Sequence, residues 1–283
     1  TLGGSYAPFV PSGGGDMRKN MELHVPMTRF DDRRRLLANL DRLRRAVDLQ
    51  ADQGGLDSLT EQAYQTILGG VSEAFDLTQE NPTVVARYDT APLLRPDNIN
   101  KKWNNHKRYA DNAKSLGKLM LLARRLCERG CGFVTVTTNF VWDMHADQNN
   151  ADMVEGMSYM APPFDRAISA FIEDVEARGL SDKILLVCTG EMGRTPRINN
   201  RGGRDHWGGL SPLLLYGAGT AGGRVIGQST RNAAQPLSEP IKIPHLVSSV
   251  LGTLIDVSEL RVQRCIPRGI LSAASAAPIP GLI

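Results

Sequence analysis

The chain reads as an α/β protein built on a mostly parallel sheet, and three features carry that expectation. From about residue 111 onward, helix-patterned and strand-patterned stretches alternate. The strand-type runs are short and apolar: Phe133–Thr137, Ile184–Cys188 and Pro212–Tyr216. A long helix-patterned stretch separates the first two, the arrangement that gives parallel strands joined by right-handed crossovers. No internal repeat points to another architecture.

Taken in order, the first sixteen residues, TLGGSYAPFVPSGGGD, are rich in Gly, Pro and Ser and read as loop. Asp31 and Asp32 suit the positive start of a helix running to about Leu49, with Leu36, Leu37, Leu40, Leu43 and Val47 as its apolar stripe. Its Arg33–Arg35 triplet reads as a solvated face. A second helix is expected over about Leu56 to Gly69. The stretch 81–112, with Pro82, Pro92, Pro96 and many Asn and Lys, reads as a surface insertion within a single domain spanning 1–283. A helix follows over about Ala113 to Glu128, with Leu116, Leu119, Met120, Ala123 and Leu126 inward and Gly130 as its stop. Pro162 and Pro163 are placed at a helix start, with Phe164, Ile168, Phe171, Ile172 and Val175 on one face up to Gly179. Pro244 opens a last helix with Leu246, Val247, Val250, Leu251 and Leu254 inward. The glycines of YGAGTAGG lack the order of a phosphate loop and read as a turn.

Bulk properties narrow the function classes. At 283 residues, with 41% hydrophobic and 22% charged residues, the chain can bury a full core. A net charge of +3 and the lack of a basic stripe with interleaved aromatics argue against a nucleic-acid partner. No apolar run reaches the roughly 18 residues of a membrane span. The four cysteines, Cys127, Cys131, Cys188 and Cys265, form no CxxC pair and read as plain thiols.

Chemistry concentrates at two strand ends, where open α/β sheets bind ligands. The first expected strand runs into Asn139, Trp142, Asp143 and His145. The second runs into GEMGRTPRINNRGGRDHW, which carries Glu191, Asp205 and His206 together with Arg194, Arg197, Arg201 and Arg204. If the two strands are neighbours, Asp143, His145, Glu191, Asp205 and His206 can converge. Two imidazoles with carboxylates suit Zn, Mn or Fe better than Ca, which prefers oxygen shells. Each part alone has a plainer reading: Asp143 and His145 as a hydrogen-bonded loop pair, Glu191 as a cap or a partner of Arg194. The arginines imply an anionic ligand. His24, His106 and His245 read as loop or core histidines, and Trp103 and Trp142 as packing residues.

The motifs WDMH, FDRAISAFIEDVEARGL, GEMGRTPRIN and GGRDHW, with YAPFV and LLARRL, resemble in order those of a bacterial family termed domain of unknown function 1501. The likeness spans nearly the whole chain. It implies membership of the alkaline-phosphatase-like superfamily, with its sulfatases and phosphatases. A doubly wound α/β fold with helices on both faces, and one or two metal ions, is then expected. On that likeness Asp143 and His145 serve one metal, Glu191 stands where relatives use the Asp of an Asp-His pair, and His206 is a later ligand. Two departures accompany it. Relatives carry a metal-binding carboxylate and a nucleophile on their first strand, so the chain reads as a fragment missing that strand, and Ser5 does not fit as its nucleophile. Met192 stands in place of the pair's histidine, and a thioether suits a hard divalent metal poorly.

The expectation is therefore a metal-dependent hydrolase of small sulfate or phosphate esters, holding Zn or Mn, with Arg194 or Arg204 gripping the anion. A non-catalytic metal- or anion-binding protein, or a structural domain with only a polar network, are the alternatives. The resemblance also implies export to the periplasm, since such proteins often carry a twin-arginine leader.

Overall fold

A computed structural model describes residues 21, 23–47, 64, 69–138, 142–263 and 266–282. The opening loop with Ser5 and YAPFV, most of the helix expected over 56–69, Asn139 and Cys265 lie outside the described residues. The chain divides into two compact units, residues 1–80 with 125–134, and residues 81–124 with 135–283.

In the first unit, helix α1 spans Met27–Val47 and starts a turn earlier than Asp31 and Asp32 suggested. Leu36, Leu37 and Leu40 of its expected stripe are exposed, and the side chains of Leu43 and Val47 lie outside the described ones. A periodic stripe marks which face could be buried, not that something covers it. A short helix α2, Val71–Ala74, precedes a 3₁₀ turn at Leu77–Gln79. Arg125 serves the carbonyls that a helix end leaves unpaired. Its Nε donates to Ala74 O at 2.9 Å and its Nη2 to Glu73 O at 2.7 Å, while Nη1 pairs with Glu80 at 3.0 Å.

The second unit contains helix α3, Pro82–Arg87, most of helix α4, His106–Glu128, and helix α5, Met153–Ala177. The stretch 81–112 is not a surface insertion over its length. It supplies Tyr88, Leu94, Ile99, Trp103 and Tyr109 to the interior. Leu94, Ile99, Trp103 and Tyr109 join Ala113, Met144, Ala151, Tyr159 and Met160 in one cluster. Prolines and asparagines there make caps and 3₁₀ turns between buried aromatics, so a polar average hid an apolar inner face. Thr90 ties the segment to α4, donating to Ala113 O at 2.6 Å and accepting from Gly117 N at 3.1 Å. Gly117 permits that approach, since a Cβ there would lie 1.7 Å from Tyr88 O.

Along α4, Leu116, Met120, Ala123 and Leu126 are buried as expected, but Leu119 is exposed. Gly130, at φ +85, ends the helix through Gly130 N to Cys127 O and Cys131 N to Leu126 O, both 3.0 Å. Helix α5 begins well before Pro162 and Pro163. Asp152 caps it, accepting from Glu155 N at 2.8 Å, and the prolines lie inside it. Two main-chain bonds are lost there. A continuous buried face from Tyr159 and Met160 through Pro163 to Ile168, Phe171 and Val175 compensates. Asp174 on this helix anchors a buried polar network, accepting from Arg124 Nε at 2.8 Å, Arg178 Nε at 2.7 Å and Tyr88 OH at 3.1 Å.

The sheet departs most from expectation. Strand β1, Leu185–Thr189, pairs antiparallel with β4, Leu213–Gly217, in the register Val187 to Leu215. Between them, β2, Gly193–Arg194, pairs antiparallel with β3, His206–Trp207. A parallel neighbour requires a crossover to the other end of the sheet. The chain from Thr189 to Leu213 instead makes a compact loop and re-enters at the end it left. Residues 133–138 form no strand, and Phe133 is exposed. β-branched sequence needs a partner ladder to become a strand, and none pairs with it among the described residues. The described fold is thus mixed helix and strand with small antiparallel sheets.

Helix α6, Ile243–Leu254, has Pro244 in its first turn as expected, with Leu246, Val247, Val250 and Leu251 half-buried and Leu254 exposed. Two more helices follow, α7, Val257–Val262, and α8, Arg268–Ala274. Gly217, Ala218 and Gly219 all have positive φ, so YGAGTAGG is a turn. Among the described residues no helix is long and apolar enough to cross a membrane.

Candidate metal centre

Three side chains from two loops meet on the surface of the second unit. Asp143 and His145 flank Met144, which is buried in the core cluster. The backbone closes a three-residue turn there, His145 N donating to Asp143 O at 3.0 Å. With Met144 drawn inward, its neighbours are left at the rim. Gly156 makes room for Met144, since a Cβ there would sit 2.7 Å from Met144 Cγ.

The third side chain, His206, lies on β3 directly opposite Arg194 on β2. Cross-strand partners share a face, so this pairing delivers an imidazole and a guanidinium to one place. Loop 195–205 is then fastened to the Asp143–Ala146 segment. Arg204 N donates to Met144 O at 2.9 Å, and Gly203 approaches so closely that a Cβ would lie 2.2 Å from both His145 C and O.

The resulting geometry is tight. Asp143 Oδ1 lies 2.9 Å from His145 Nε2 and 2.9 Å from His206 Nε2, and the two Nε2 atoms are 3.1 Å apart. The imidazole rings tilt at 48° with centroids 4.7 Å apart. Arg194 Nη1 reaches Asp143 Oδ1 at 2.7 Å and His145 Nε2 at 3.5 Å. On its other side, His145 Nδ1 meets Asp205 Oδ1 at 3.2 Å. Burial opposes ionisation of Asp143, but hydrogen bonds from His206 and Arg194, with the charges of Arg194 and His145, outweigh it and hold the carboxyl below its usual range.

These three atoms fit a cation. Ligands at zinc–nitrogen and zinc–oxygen distances in a tetrahedron are about 3.3 Å apart, close to the observed 2.9 to 3.1 Å edges. Asp143, His145 and His206 each offer one such atom, close enough together to hold a single metal ion.

The remaining expected residues fall elsewhere. Asp205 lies outside this group, on the other side of His145, where its carboxylate meets Nδ1. Glu191 is exposed, outside the cluster, and Arg194 pairs with Asp143 instead of with it. Arg204 does not face an anion with Nη1, which donates to Thr195 O at 2.6 Å and Pro196 O at 2.9 Å, bracing the loop. Trp142 packs edge-on against Phe164.

Residues 2–262 match the family described as protein of unknown function (DUF1501). The chain belongs to the DUF1501 family. No curated protein and no solved structure matches it. In this DUF1501 chain the motif letters NNRGGRDH acquire separate physical roles. Sequence reasoning weighed the charged ones and passed over Asn199 and Gly203. An Asn followed by a Gly pair is a turn signal that could have drawn attention to both.

Proposed function

We propose that the chain carries the metal-holding site of a hydrolase acting on small sulfate or phosphate esters. The observation that carries this reading is the convergence of Asp143, His145 and His206 with Arg194 against them. A cation bound there would supply a Lewis acid for an ester oxygen, or a bound water of lowered pKa. Arg194 has five N–H donors. Nη1 is directed to Asp143, and the remaining donors can hold anionic oxygens by charge-assisted bonds. Asp205 holds His145 by Nδ1 so that Nε2 stays in the cluster. Zn or Mn matches the donor set. The likeness of GE-x-GRTP and GRDHW to the DUF1501 motifs, a family placed by that likeness in the alkaline-phosphatase-like superfamily, supports the same reading, as does the pairing of Arg194 with His206 at one surface site. Export to the periplasm belongs to the proposal and rests on that likeness alone.

A second reading, a non-catalytic metal- or anion-binding protein, is favoured by one observation. Glu191 stays exposed beside Met192, so no second carboxylate joins the cluster from that loop.

Metal analysis of protein purified without chelator, joined to turnover of aryl sulfate and aryl phosphate, decides between them. One equivalent of Zn or Mn, lost together with turnover in Asp143→Ala and His206→Ala, is the expected result. Metal without turnover in the full-length protein favours the binding reading. Absence of stoichiometric metal overturns both and leaves a polar network.

A further inference from the structure

We infer that Asn199 is the positioning residue of this site, a turn-forming amide that sets the His145 imidazole by holding its backbone and its carboxylate partner together. All four hydrogen-bonding positions of the side chain are used. Its Oδ1 accepts from Arg201 N at 3.0 Å and Gly203 N at 2.9 Å. Its Nδ2 donates to His145 O at 3.0 Å and reaches Asp205 Oδ1 at 3.4 Å. The two backbone donors on Oδ1 fix the amide orientation, because a flipped amide would set NH₂ against N–H. The main chain adds Asn199 N to Gly203 O at 2.8 Å and Gly202 N to Asn199 O at 3.0 Å.

One end of the amide therefore folds the loop, and the other end addresses the site. Asp205 and the His145 carbonyl are both gripped by one NH₂, so the ring and the carboxylate on its Nδ1 share a single reference point. A side chain with oxygen at both ends would keep the fold of the loop and lose the grip on the site. Asn199→Asp makes that separation: its carboxylate still accepts from Arg201 N and Gly203 N, but turns an oxygen toward the His145 carbonyl and the Asp205 carboxylate.

The inference rests on the metal reading only in its second readout. The first is imidazole ¹⁵N NMR of the metal-free, full 283-residue chain. In the wild type His145 is expected in one ring orientation, with a single set of ring ¹⁵N resonances, and in Asn199→Asp and Asn199→Ala in more than one. The second is titration with Co²⁺ followed in the visible region. Asn199→Asp is expected to bind about tenfold more weakly, the scale of an outer-shell loss, although its added negative charge alone would tighten cation binding. Thermal melting close to wild type in Asn199→Asp excludes a folding defect as the cause. A single set of His145 ring resonances in both variants overturns the inference. A wild-type chain that takes up no Co²⁺ overturns the metal reading, while the ring resonances still decide the role of Asn199.

Discussion

Gly203→Ala places one methyl group at the closest approach between the two loops of the site. Gly203 is absent from the positive-φ positions, whereas its neighbour Gly202 has φ +92, so the substitution meets no backbone strain at 203 and acts through contact alone. The added Cβ would lie 2.2 Å from His145 C and O and 2.7 Å from Ala146 N. Restoring ordinary van der Waals contact requires the loops to part by roughly 1 Å. Arg204 N to Met144 O, now 2.9 Å, and Asn199 Nδ2 to His145 O, now 3.0 Å, would then stretch beyond hydrogen-bonding range. Two net hydrogen bonds correspond to about 2 kcal/mol. For a chain of this size that lowers the melting temperature by about 3 °C. The same displacement carries His145 and Asp143 away from His206, so metal affinity should fall by about 10- to 100-fold. Circular dichroism melts and competition against a chromophoric chelator read the two effects. A Gly203→Ala protein that melts with the wild type and takes up metal with wild-type affinity would refute the argument that this close approach assembles the site.

Three further outcomes follow from particular contacts. Asp174→Asn removes the charge paired with Arg124, whose side chain is only 1% exposed, and should lower stability in urea unfolding by about 3 kcal/mol or more; a loss below 1 kcal/mol, roughly a surface pair's worth, would contradict the network. Glu191→Ala should leave metal affinity near wild type while His206→Ala abolishes stoichiometric binding, and equal losses in both by isothermal titration would return Glu191 to the ligand set. Burial works against Glu155 ionisation, but bonds from Tyr159 and Trp103 and the charge of Lys102 overcome it, so its carboxyl titrates below the ordinary value of 4.5. Its contribution to stability is therefore present above about that pH and lost as pH falls through the depressed native value. Glu155→Gln should flatten the acid limb of a stability-against-pH curve in that window, and an unchanged slope would show that Glu155 is not held there.

Local features were legible where they depend on few neighbours. Gly130 and Gly179 end helices because their φ is positive, and Pro244 opens one because its missing N–H is not needed there. What failed depended on partners a single stretch does not name. The β-branched run at 133–137 predicts a strand only if another strand pairs with it. Ile184–Cys188 and Pro212–Tyr216 were found as strands, but their direction is set by the loop between them, and that loop carries no crossover helix. Pro162 and Pro163 read as a beginning because the cap at Asp152 lies ten residues upstream, with glycine and polar residues between them.

The site divides in the same way, which explains why residue type was a poor guide to role within one short loop. Asp143, His145 and His206 were legible only together with Glu191 and Asp205, as five side chains able to hold a metal, and the structure brings three of them into one group. Arg194, Arg204 and Asp205 have equal claims on paper as anion or metal binders, yet they end on three different partners. Arg194 is placed by its ladder partner His206, so it must face the cluster. Arg204 sits two residues earlier on the chain than His206, where Nη1 reaches the Thr195 and Pro196 carbonyls and holds the turn. Asp205 lies between them, on the Nδ1 side of His145. Gly203 and Asn199, two uncharged residues, bring the loop against His145. In this loop the charged side chains reach different partners, and the residues without charge set how closely the loop approaches the Asp143–Ala146 segment.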